Sequence, residues 1–208
     1  MADDPWPPGF FDRQDDGDDA GFYLPPRLVT HIDDGAIAAV SELYDELGVP
    51  DGAVLDLMSS WVSHLSRKPS GGLTVLGMNP AELQANPMAD RAVVHDLNVD
   101  TRLPFDDEEF DAVLCCVSID YLVRPVEVLR ETSRLLRPDG VVVLTFSNRC
   151  FPTKAVRGWL ATDEEGRVEI VRAYLELAGF EDVRTALRTL PSRYGDPLYA
   201  AWAHRSVG

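Results

Sequence analysis

Short apolar runs alternate along this chain with segments in which apolar residues recur every three or four positions. Short continuous runs are typical of strands buried on both faces of a parallel sheet, and the recurring pattern is typical of amphipathic helices. The predicted strands of this kind cover residues 53–57, 74–78, 92–94, 110–117 and 141–146. Regular alternation of strand and helix predicts an α/β fold, with helices on both faces of a mostly parallel sheet.

Residues that commonly begin and end helices bound the helical segments. Asp33 or Asp34 can cap the first helix, and Gly48 lies just past its end. Asn79 begins a later helix, with Glu82 at its third position. The other predicted helices are a short one after residue 60, one over residues 125–137 and one with its apolar face at residues 168–178.

The C-terminal part of the chain breaks this alternation. Two strands are predicted over residues 183–190 and 198–204, and the segment between them contains the turn residues Pro191 and Pro197. A connection this short forces the two strands to be antiparallel. The complete pattern therefore predicts a doubly wound, mostly parallel seven-stranded sheet that ends in an antiparallel strand pair.

The first twenty residues differ in composition from the rest of the chain. They hold seven aspartates among proline and glycine, with too little apolar surface to offset the entropy lost on folding. We therefore expect residues 1–20 to be an acidic, flexible tail, with a functional acidic arm as the alternative. Residues 21–208 are expected to form a single domain, in which residues 21–50 supply a lid and a helix. Phe22 and Tyr23 either cover a binding crevice or pack on the domain.

Composition narrows the range of partners. The formal net charge of −16 opposes binding to nucleic acid or to an anionic membrane surface. No apolar run approaches about 20 residues and the N-terminus lacks a secretory signal, so a cytoplasmic protein is expected. Cys115, Cys116 and Cys150 form no CxxC pair, which argues against a disulfide framework or a metal site. A small molecule or another protein is the expected partner, and the oligomeric state, monomer or homodimer, stays open.

The carboxyl end of the first predicted strand carries the clearest sign of a binding site. Asp56 lies at the end of this strand, and Ser59 and Ser60 follow in the adjoining turn. In a parallel α/β sheet the carboxyl ends of the strands face the ligand crevice. A polar turn at this point is therefore suited to holding a nucleotide-like ligand.

Five segments carry recognisable motifs in a fixed order. They are VLDL at residues 54–57, VLGMN at 75–79, HDLN at 95–98, LPFDDEEFDAV at 103–113 and LLRPDGVVVLTFSN at 135–148. In this order they resemble the class I S-adenosylmethionine-dependent methyltransferases, and the resemblance extends over about residues 35–204. It implies a Rossmann-like fold, S-adenosylmethionine as cofactor, and transfer of the methyl group to an acceptor.

The resemblance also implies a set of cofactor-binding positions. Asp56 would hold the turn or the amino group of the cofactor, and Asp96 with Leu97 would meet the adenine. The implied set is Asp56, Met58, Ser59, Ser60, Asn79, Asp96, Leu97 and Val117. Asp56 and Asp96 are also explicable as polar strand ends that face solvent.

Two departures from the family pattern bear on cofactor binding. The first loop of the family normally reads D-x-G-x-G-x-G, whereas Met58, Ser60 and Val62 replace those glycines here, with Trp61 among them. Side chains thus occupy space that the family leaves open to the cofactor. At Asn79 the family usually has Asp or Glu to bind the ribose. An asparagine there serves as a helix cap alone, or as cap and ribose ligand together.

In enzymes of this family the acceptor commonly lies beside the loops after the fourth and fifth strands. The residues implied to bind a small-molecule acceptor are Tyr23, Ser118, Asn148, Arg149 and Lys154. Those implied to orient or deprotonate it are Asp120, Tyr121 and His31, with His64 as a second candidate base. Simpler interpretations stay open: a helix-capping aspartate, a packing tyrosine, solvated loop cations, and histidines satisfied by local hydrogen bonds.

The leading hypothesis is therefore an S-adenosylmethionine-dependent methyltransferase that acts on a small molecule by in-line methyl transfer. The alternative is a methyltransferase-like domain that has lost cofactor binding and acts as an interaction protein, with the acidic tail facing its partner. A third hypothesis is that this cofactor, or another nucleotide, is bound for different chemistry.

Overall fold

One sheet organises the protein, whose computed structural model describes residues 5–190 and 195–206. The strands are β1 (Val54–Leu57), β2 (Leu73–Gly77), β3 (Arg91–Val94), β4 (Phe110–Cys116), β5 (Leu136–Phe146), β6 (Arg184–Thr189) and β7 (Leu198–His204). They lie in the order β3-β2-β1-β4-β5-β7-β6. The first five are parallel, whereas β7 runs antiparallel to both β5 and β6. The predicted sheet and its C-terminal antiparallel pair are confirmed.

Helices cover both faces of this sheet. They are α1 (Asp19–Tyr23), α2 (Asp34–Glu46), α3 (Pro80–Ala85), α4 (Pro125–Leu135), α5 (Arg157–Leu160) and α6 (Glu164–Leu177). Because successive strand residues point to opposite faces, Val54 joins the core formed with α2 and α3, whereas Leu55 joins the core formed with α4 and α6. This is the predicted doubly wound arrangement. Within the described residues, none of the helices has the length and apolar character needed to cross a membrane.

The loop after β1, residues 58–72, contains no helix, so the short helix predicted here is wrong. The serine hydroxyls that could cap such a helix bond to other parts of the chain. Ser59 donates to Asp56, and Ser60 donates to Glu82 on α3. The loop is therefore shaped by side-chain contacts rather than by a backbone hydrogen-bond ladder.

Residues 5–20 pack on the domain, whereas the composition predicted a flexible tail. Trp6 contacts both Phe10 and Tyr174 of α6, with ring centroids 4.6 Å and 5.2 Å apart. Gly158 on α5 makes room for this packing, because a Cβ there would lie 2.2 Å from the Phe10 ring. The acidic residues of this segment are thus interspersed with aromatic residues that reach the core. Residues 1–4 lie outside the described part of the chain.

Candidate functional site

A cavity of about 290 Å³ lies at the carboxyl ends of β1, β2, β3 and β4. Residues 19–31, which we call the lid, pass over it, and Tyr23, Arg27 and His31 of the lid line its wall. Crevices in this position commonly hold ligands in doubly wound α/β proteins, and small-molecule sites have volumes from about 300 Å³ upward. The cavity is therefore the candidate functional site.

Most of the predicted site residues meet around this cavity. Those in its wall are Tyr23, His31, Asp56, Met58, Ser59, Ser60, Asn79, Asp96, Leu97, Val117, Ser118, Tyr121 and Arg149. Three predicted residues, Asp120, Asn148 and Lys154, are not among the residues that line it. The candidate base His64 lines it as well.

Asp56 forms the buried floor of the cavity at the end of β1. Asp56 is 4% exposed, and Ser59 Oγ donates a hydrogen bond to Asp56 Oδ2 over 2.6 Å. Burial raises the pKa of this carboxyl to about 6, although the hydroxyls of Ser59 and Ser63 act in the opposite direction. When ionised, the group is suited to accept a hydrogen bond from an amino group.

The loop after β1 runs close over the end of β2. The amide of Ser59 donates to Leu76 O over 2.8 Å, and a Cβ on Gly77 would lie 2.4 Å from Ser59 O. Only glycine at this position permits so close an approach. The amides of residues 60–62 have no acceptor within the described residues, and these residues line the cavity. They are free to hold an anionic group such as a carboxylate.

Three non-glycine residues with positive φ line the cavity: Met58 at 53°, His64 at 53° and Val117 at 44°. This left-handed region is sterically unfavourable, most of all for a β-branched residue such as valine. Such strain persists where surrounding contacts determine the backbone, and it concentrates at ligand sites. At Met58 the backbone adopts a conformation that favours glycine, although the residue is methionine.

Asn79 caps α3 and also holds the lid. Its Oδ1 accepts from the amides of Ala81 (2.9 Å) and Glu82 (3.1 Å). Its Nδ2 donates to the carbonyl oxygens of Tyr23 (2.9 Å) and Leu24 (3.0 Å). These four bonds use the full hydrogen-bonding capacity of an asparagine side chain. The predicted cap is confirmed, and no group is left for the ribose contact predicted at this position.

The turn after β3 forms the far end of the cavity. Asp96 Oδ1 accepts from the amides of Asn98 (2.8 Å) and Val99 (3.3 Å), which fixes the turn. Leu97 and Leu122 are buried apolar residues of the same wall. This end of the cavity therefore combines an apolar surface with one carboxylate, which suits a flat ring that carries a hydrogen-bond donor.

Contacts from two elements hold the lid in place. The amide of Arg27 donates to Glu82 Oε1 over 2.6 Å, and the guanidinium carbon of the same residue lies 4.7 Å from the centre of the Phe22 ring. Trp61 Nε1 donates to Val29 O over 3.1 Å, which joins the loop after β1 to the lid. Phe22 meets the Phe151 ring edge-on, with centroids 5.5 Å apart, whereas Tyr23 lines the cavity.

Lys154 anchors the segment that leads into the lid. It is 1% exposed, and its Nζ lies 2.9 Å from Asp19 Oδ1 and 3.0 Å from Asp15 Oδ2. Arg13 Nη1 pairs with the other oxygen of Asp19 over 2.7 Å. Burial by itself would lower the pKa of Lys154, but the bonds to Asp19 and Asp15 outweigh it and raise that pKa. The alternative of a solvated loop cation is therefore wrong, and the charge of Lys154 is engaged within this buried cluster.

The acceptor-side residues lie between the lid and the loop after β5. Tyr121 Oη accepts from the amide of Phe151 over 2.8 Å, and burial raises the pKa of Tyr121, so its hydroxyl stays protonated. Arg149 Nε pairs with Asp196 over 2.7 Å. Ser118 Oγ donates to a backbone carbonyl 3.0 Å away. This side of the cavity thus offers hydroxyl and guanidinium donors but no tyrosinate base.

Two histidines face the cavity from opposite elements. The His31 ring on the lid meets the Phe151 ring edge-on, with centroids 5.3 Å apart. Burial lowers the pKa of His31, while the charge of Glu82 raises it and that of Arg27 lowers it. Burial also lowers the pKa of His64, with a further lowering by His31. Both imidazoles are therefore neutral near pH 7 and able to take a proton.

Asp120 and Asn148 are not among the residues that line the cavity. Asn148 is exposed at the end of β5. Asp120 is 3% exposed, and its Oδ2 has no hydrogen-bond partner among the described residues. Burial raises the pKa of Asp120 to about 8. The structure thus places Asp120 outside the cavity wall, as a buried, largely protonated carboxyl.

Asp120→Asn is expected to flatten the pH dependence of stability. The folded chain holds the Asp120 proton up to about pH 8, whereas the unfolded chain releases it near the usual value of 3.8. Between these pH values the folded state binds more protons, so wild-type stability falls as pH rises. The variant lacks this contribution, which is on the order of several kcal/mol across the window.

Urea unfolding at a series of pH values between about 4.5 and about 8.5 measures this effect. Asp56 contributes with the same sign up to about pH 6, but it is present in both proteins, so the difference between the two curves reports Asp120. Asp100→Asn, in an exposed turn, is the matched control. Parallel pH curves for wild type and Asp120→Asn would contradict the expected result.

Sequence reasoning missed several residues of the cavity wall. Arg27 belongs to no motif, and the sequence contains no local signal that would have placed it here. Asn98 ends the HDLN motif, of which only Asp96 and Leu97 were predicted as site residues. Glu82 was predicted only as the third residue of a helix. The first turn of a helix that follows a strand end borders the crevice of a parallel sheet. The position of Glu82 in such a turn could therefore have indicated that it lines the cavity.

Comparison with known proteins supports the resemblance of the motifs. The profile of the family described as "Methyltransferase domain" matches residues 47–144. Methyltransferase GfsG of Streptomyces halstedii is 29% identical over an alignment of 132 residues, which covers 58% of this chain and 47% of that protein. The chain thus spans about half the length of the curated relative it matches.

Solved structures share the fold at low sequence identity. The [4+2]-cyclase SpnF has a TM-score of 0.60 at 14% identity, covering 88% of this chain and 90% of that one. A 1,6-didemethyltoxoflavin-N1-methyltransferase of Burkholderia thailandensis has a TM-score of 0.58 at 19% identity, covering 84% and 80%. Fold and cavity define an α/β domain of the methyltransferase type. Together with the sequence matches, they show that the chain is similar to the class I S-adenosylmethionine-dependent methyltransferases.

Proposed function

We propose that this protein binds S-adenosylmethionine in the cavity and transfers its methyl group to a small-molecule acceptor by in-line displacement. The observation that carries the proposal is the course of the cavity, which runs from Asp56 at the end of β1 to the Asp96 turn after β3. The Burkholderia thailandensis enzyme of the same fold is described with bound S-adenosylhomocysteine, the demethylated form of this cofactor.

The residues of the wall fit the cofactor although the glycines are missing. Asp56 would accept from its amino group, and the free amides of residues 60–62 would hold its carboxylate. At the other end, Leu97 and Val117 would contact the adenine, and Asp96 would accept from the exocyclic amine.

Ser59, Ser60 and Met58 act in this proposal by shaping the loop. The two serine hydroxyls donate to Asp56 and to Glu82, so they position the backbone amides instead of contacting the cofactor themselves. Met58 keeps the positive φ that a glycine would adopt, which preserves the path of the loop.

When bound, S-adenosylmethionine supplies a methyl group on a positively charged sulfur. Most of the catalysis can then come from alignment of the acceptor, and a base is needed only for an acceptor that must lose a proton. We assign this role to His31, which lines the lid side of the cavity and is neutral near pH 7. Tyr23, Ser118, Tyr121 and Arg149 would contact and orient the acceptor.

The alternative functions have less support. An interaction protein was expected to use the acidic N-terminal segment, yet residues 5–20 pack on the domain, and Asp15 and Asp19 pair with Lys154. A different reaction on the bound cofactor stays a candidate, because SpnF, which has the same fold, is described as a cyclase.

Calorimetric titration with S-adenosylhomocysteine is the first test. We expect the wild-type protein to bind, and Asp96→Asn to bind about tenfold more weakly. The asparagine keeps the oxygen that fixes the turn, but it presents an amide N–H to the adenine amine, which is also a donor. Asp100→Asn, outside the cavity wall, is the matched control and should change affinity by less than about twofold.

The possible results of this titration distinguish the candidate functions. Absence of wild-type binding at millimolar ligand would contradict the proposal and favour the interaction protein. If the protein binds, transfer of a labelled methyl group to a panel of small phenols, carboxylates and amines tests the reaction itself. Binding without transfer to any of them would favour a different chemistry.

A further inference from the structure

Glu82 joins three elements around the cavity. It lies in the first turn of α3, is half-buried, and lines the cavity wall. Its Oε1 accepts from the amide of Arg27 in the lid, and its Oε2 accepts from Ser60 Oγ in the loop after β1, each over 2.6 Å. One carboxylate therefore links the lid and the loop after β1 to α3.

A bound nucleoside needs hydrogen-bond acceptors for its two ribose hydroxyls, and few groups of the wall can provide them. The side chain of Asn79 is fully used by its four bonds. Asp19 is engaged by Arg13, Lys154 and Asn98. Asp56 lies at the other side of the loop, where it is bonded to Ser59.

Glu82 keeps acceptor capacity that these groups lack. An ionised carboxylate has about four acceptor positions, two on each oxygen, whereas each oxygen of Glu82 takes one bond within the described residues. One position thus remains on each oxygen. Paired acceptors on one carboxylate suit two neighbouring hydroxyls, in the way that an acidic residue binds ribose in other nucleotide-binding α/β folds.

We propose that Glu82 accepts hydrogen bonds from the ribose hydroxyls of the bound nucleoside, the contact that Asn79 cannot make. This inference rests on the proposed function, since it takes S-adenosylmethionine as the ligand. It also gives the lid a link to the ligand, because the carboxylate that binds the ribose is the one that holds the amide of Arg27.

A comparison of two ligands on two proteins tests this contact. S-adenosylhomocysteine and its 2′,3′-dideoxy analogue are titrated into wild type and Glu82→Gln by calorimetry. We expect Glu82→Gln to weaken binding of S-adenosylhomocysteine about tenfold or more, because bonds to a charged acceptor are lost. Binding of the dideoxy analogue should differ by less than about threefold between the two proteins.

The analogue separates a ribose contact from a purely structural role of Glu82. Equal weakening of both ligands would mean that Glu82 acts only through the lid and the loop, and would overturn the inference. Gln84→Ala, an exposed residue of the same helix, controls for effects on α3. If Glu82→Gln does not fold, Glu82→Asp, which keeps the charge on a shorter side chain, allows the same comparison. Failure of wild type to bind either ligand would overturn the proposed function as well.

Discussion

Replacing Lys154 with methionine is expected to lower the free energy of unfolding by about 3 kcal/mol. The lysine is 1% exposed, and besides its two ion pairs it donates to the carbonyl oxygens of Asp15 (3.3 Å) and Gly17 (3.0 Å). Methionine fills similar space without a charge, so Asp19, with a side chain 4% exposed, keeps only Arg13 as a cationic partner. Removing one member of a buried pair is costly because the other charge stays buried.

Urea unfolding measures this loss, and limited proteolysis locates it. Trypsin should cleave after Arg13 faster in the variant, because the segment that contains it detaches from the domain. Lys68→Met is the matched control: Lys68 pairs with Asp90 over 2.6 Å, with both side chains about half exposed, and its loss should cost less than about 1 kcal/mol. Equal losses of unfolding free energy for the two substitutions would contradict the role of Lys154 as a buried anchor.

The anchor also connects stability to the proposed function. Asp19 belongs to the ion-pair cluster and to the cavity wall, and the lid continues directly from it. A detached segment would leave the cavity without its cover. We therefore expect Lys154→Met to weaken binding of S-adenosylhomocysteine too, whereas Lys68→Met should leave it unchanged.

The sheet and the position of the cavity follow from local features of the sequence. Nearly continuous apolar runs such as residues 110–117, in which Asp111 is the one charged residue, predict strands because a parallel sheet is covered on both faces. Because β1 and β3 belong to the same parallel sheet, their carboxyl ends lie on the same side of it. Asp56, Asp96 and Leu97 could be predicted for this reason.

The features that the sequence did not predict depend on partners far away in the chain. The acidic composition of residues 1–20 indicated a solvated tail, but Lys154, more than 130 positions further on, neutralises two of these carboxylates in the folded chain. Asn79 shows the same limit, because half of its hydrogen-bonding capacity goes to the lid. Composition and spacing report local tendencies, and such pairings become visible only when the fold brings the partners together.

Replacing Gly77 with alanine is expected to displace the loop after β1 and to abolish tight binding of S-adenosylhomocysteine. The added Cβ would lie 2.4 Å from Ser59 O and 3.2 Å from Leu83 Cδ2. The first contact is with backbone, so a side-chain rotation cannot relieve it and the loop or the strand must shift. That shift would break the bond from the amide of Ser59 to Leu76 O and move the free amides that follow. We expect a loss of about 1–3 kcal/mol in the free energy of unfolding and at least about tenfold weaker binding.

Gly21→Ala is the matched control for this prediction. A Cβ at Gly21, in α1 of the lid, would meet no atom within 4 Å. Both substitutions reduce the entropy of the unfolded chain in the same way, so the difference between them reports the contact in the folded state. Calorimetry with S-adenosylhomocysteine and urea unfolding of the two variants provide the measurement. If Gly77→Ala bound the ligand as tightly as Gly21→Ala, the amides of residues 60–62 would not be its carboxylate site. The methionine end of the cofactor would then have to be held by side chains alone, with Asp56 as the first candidate.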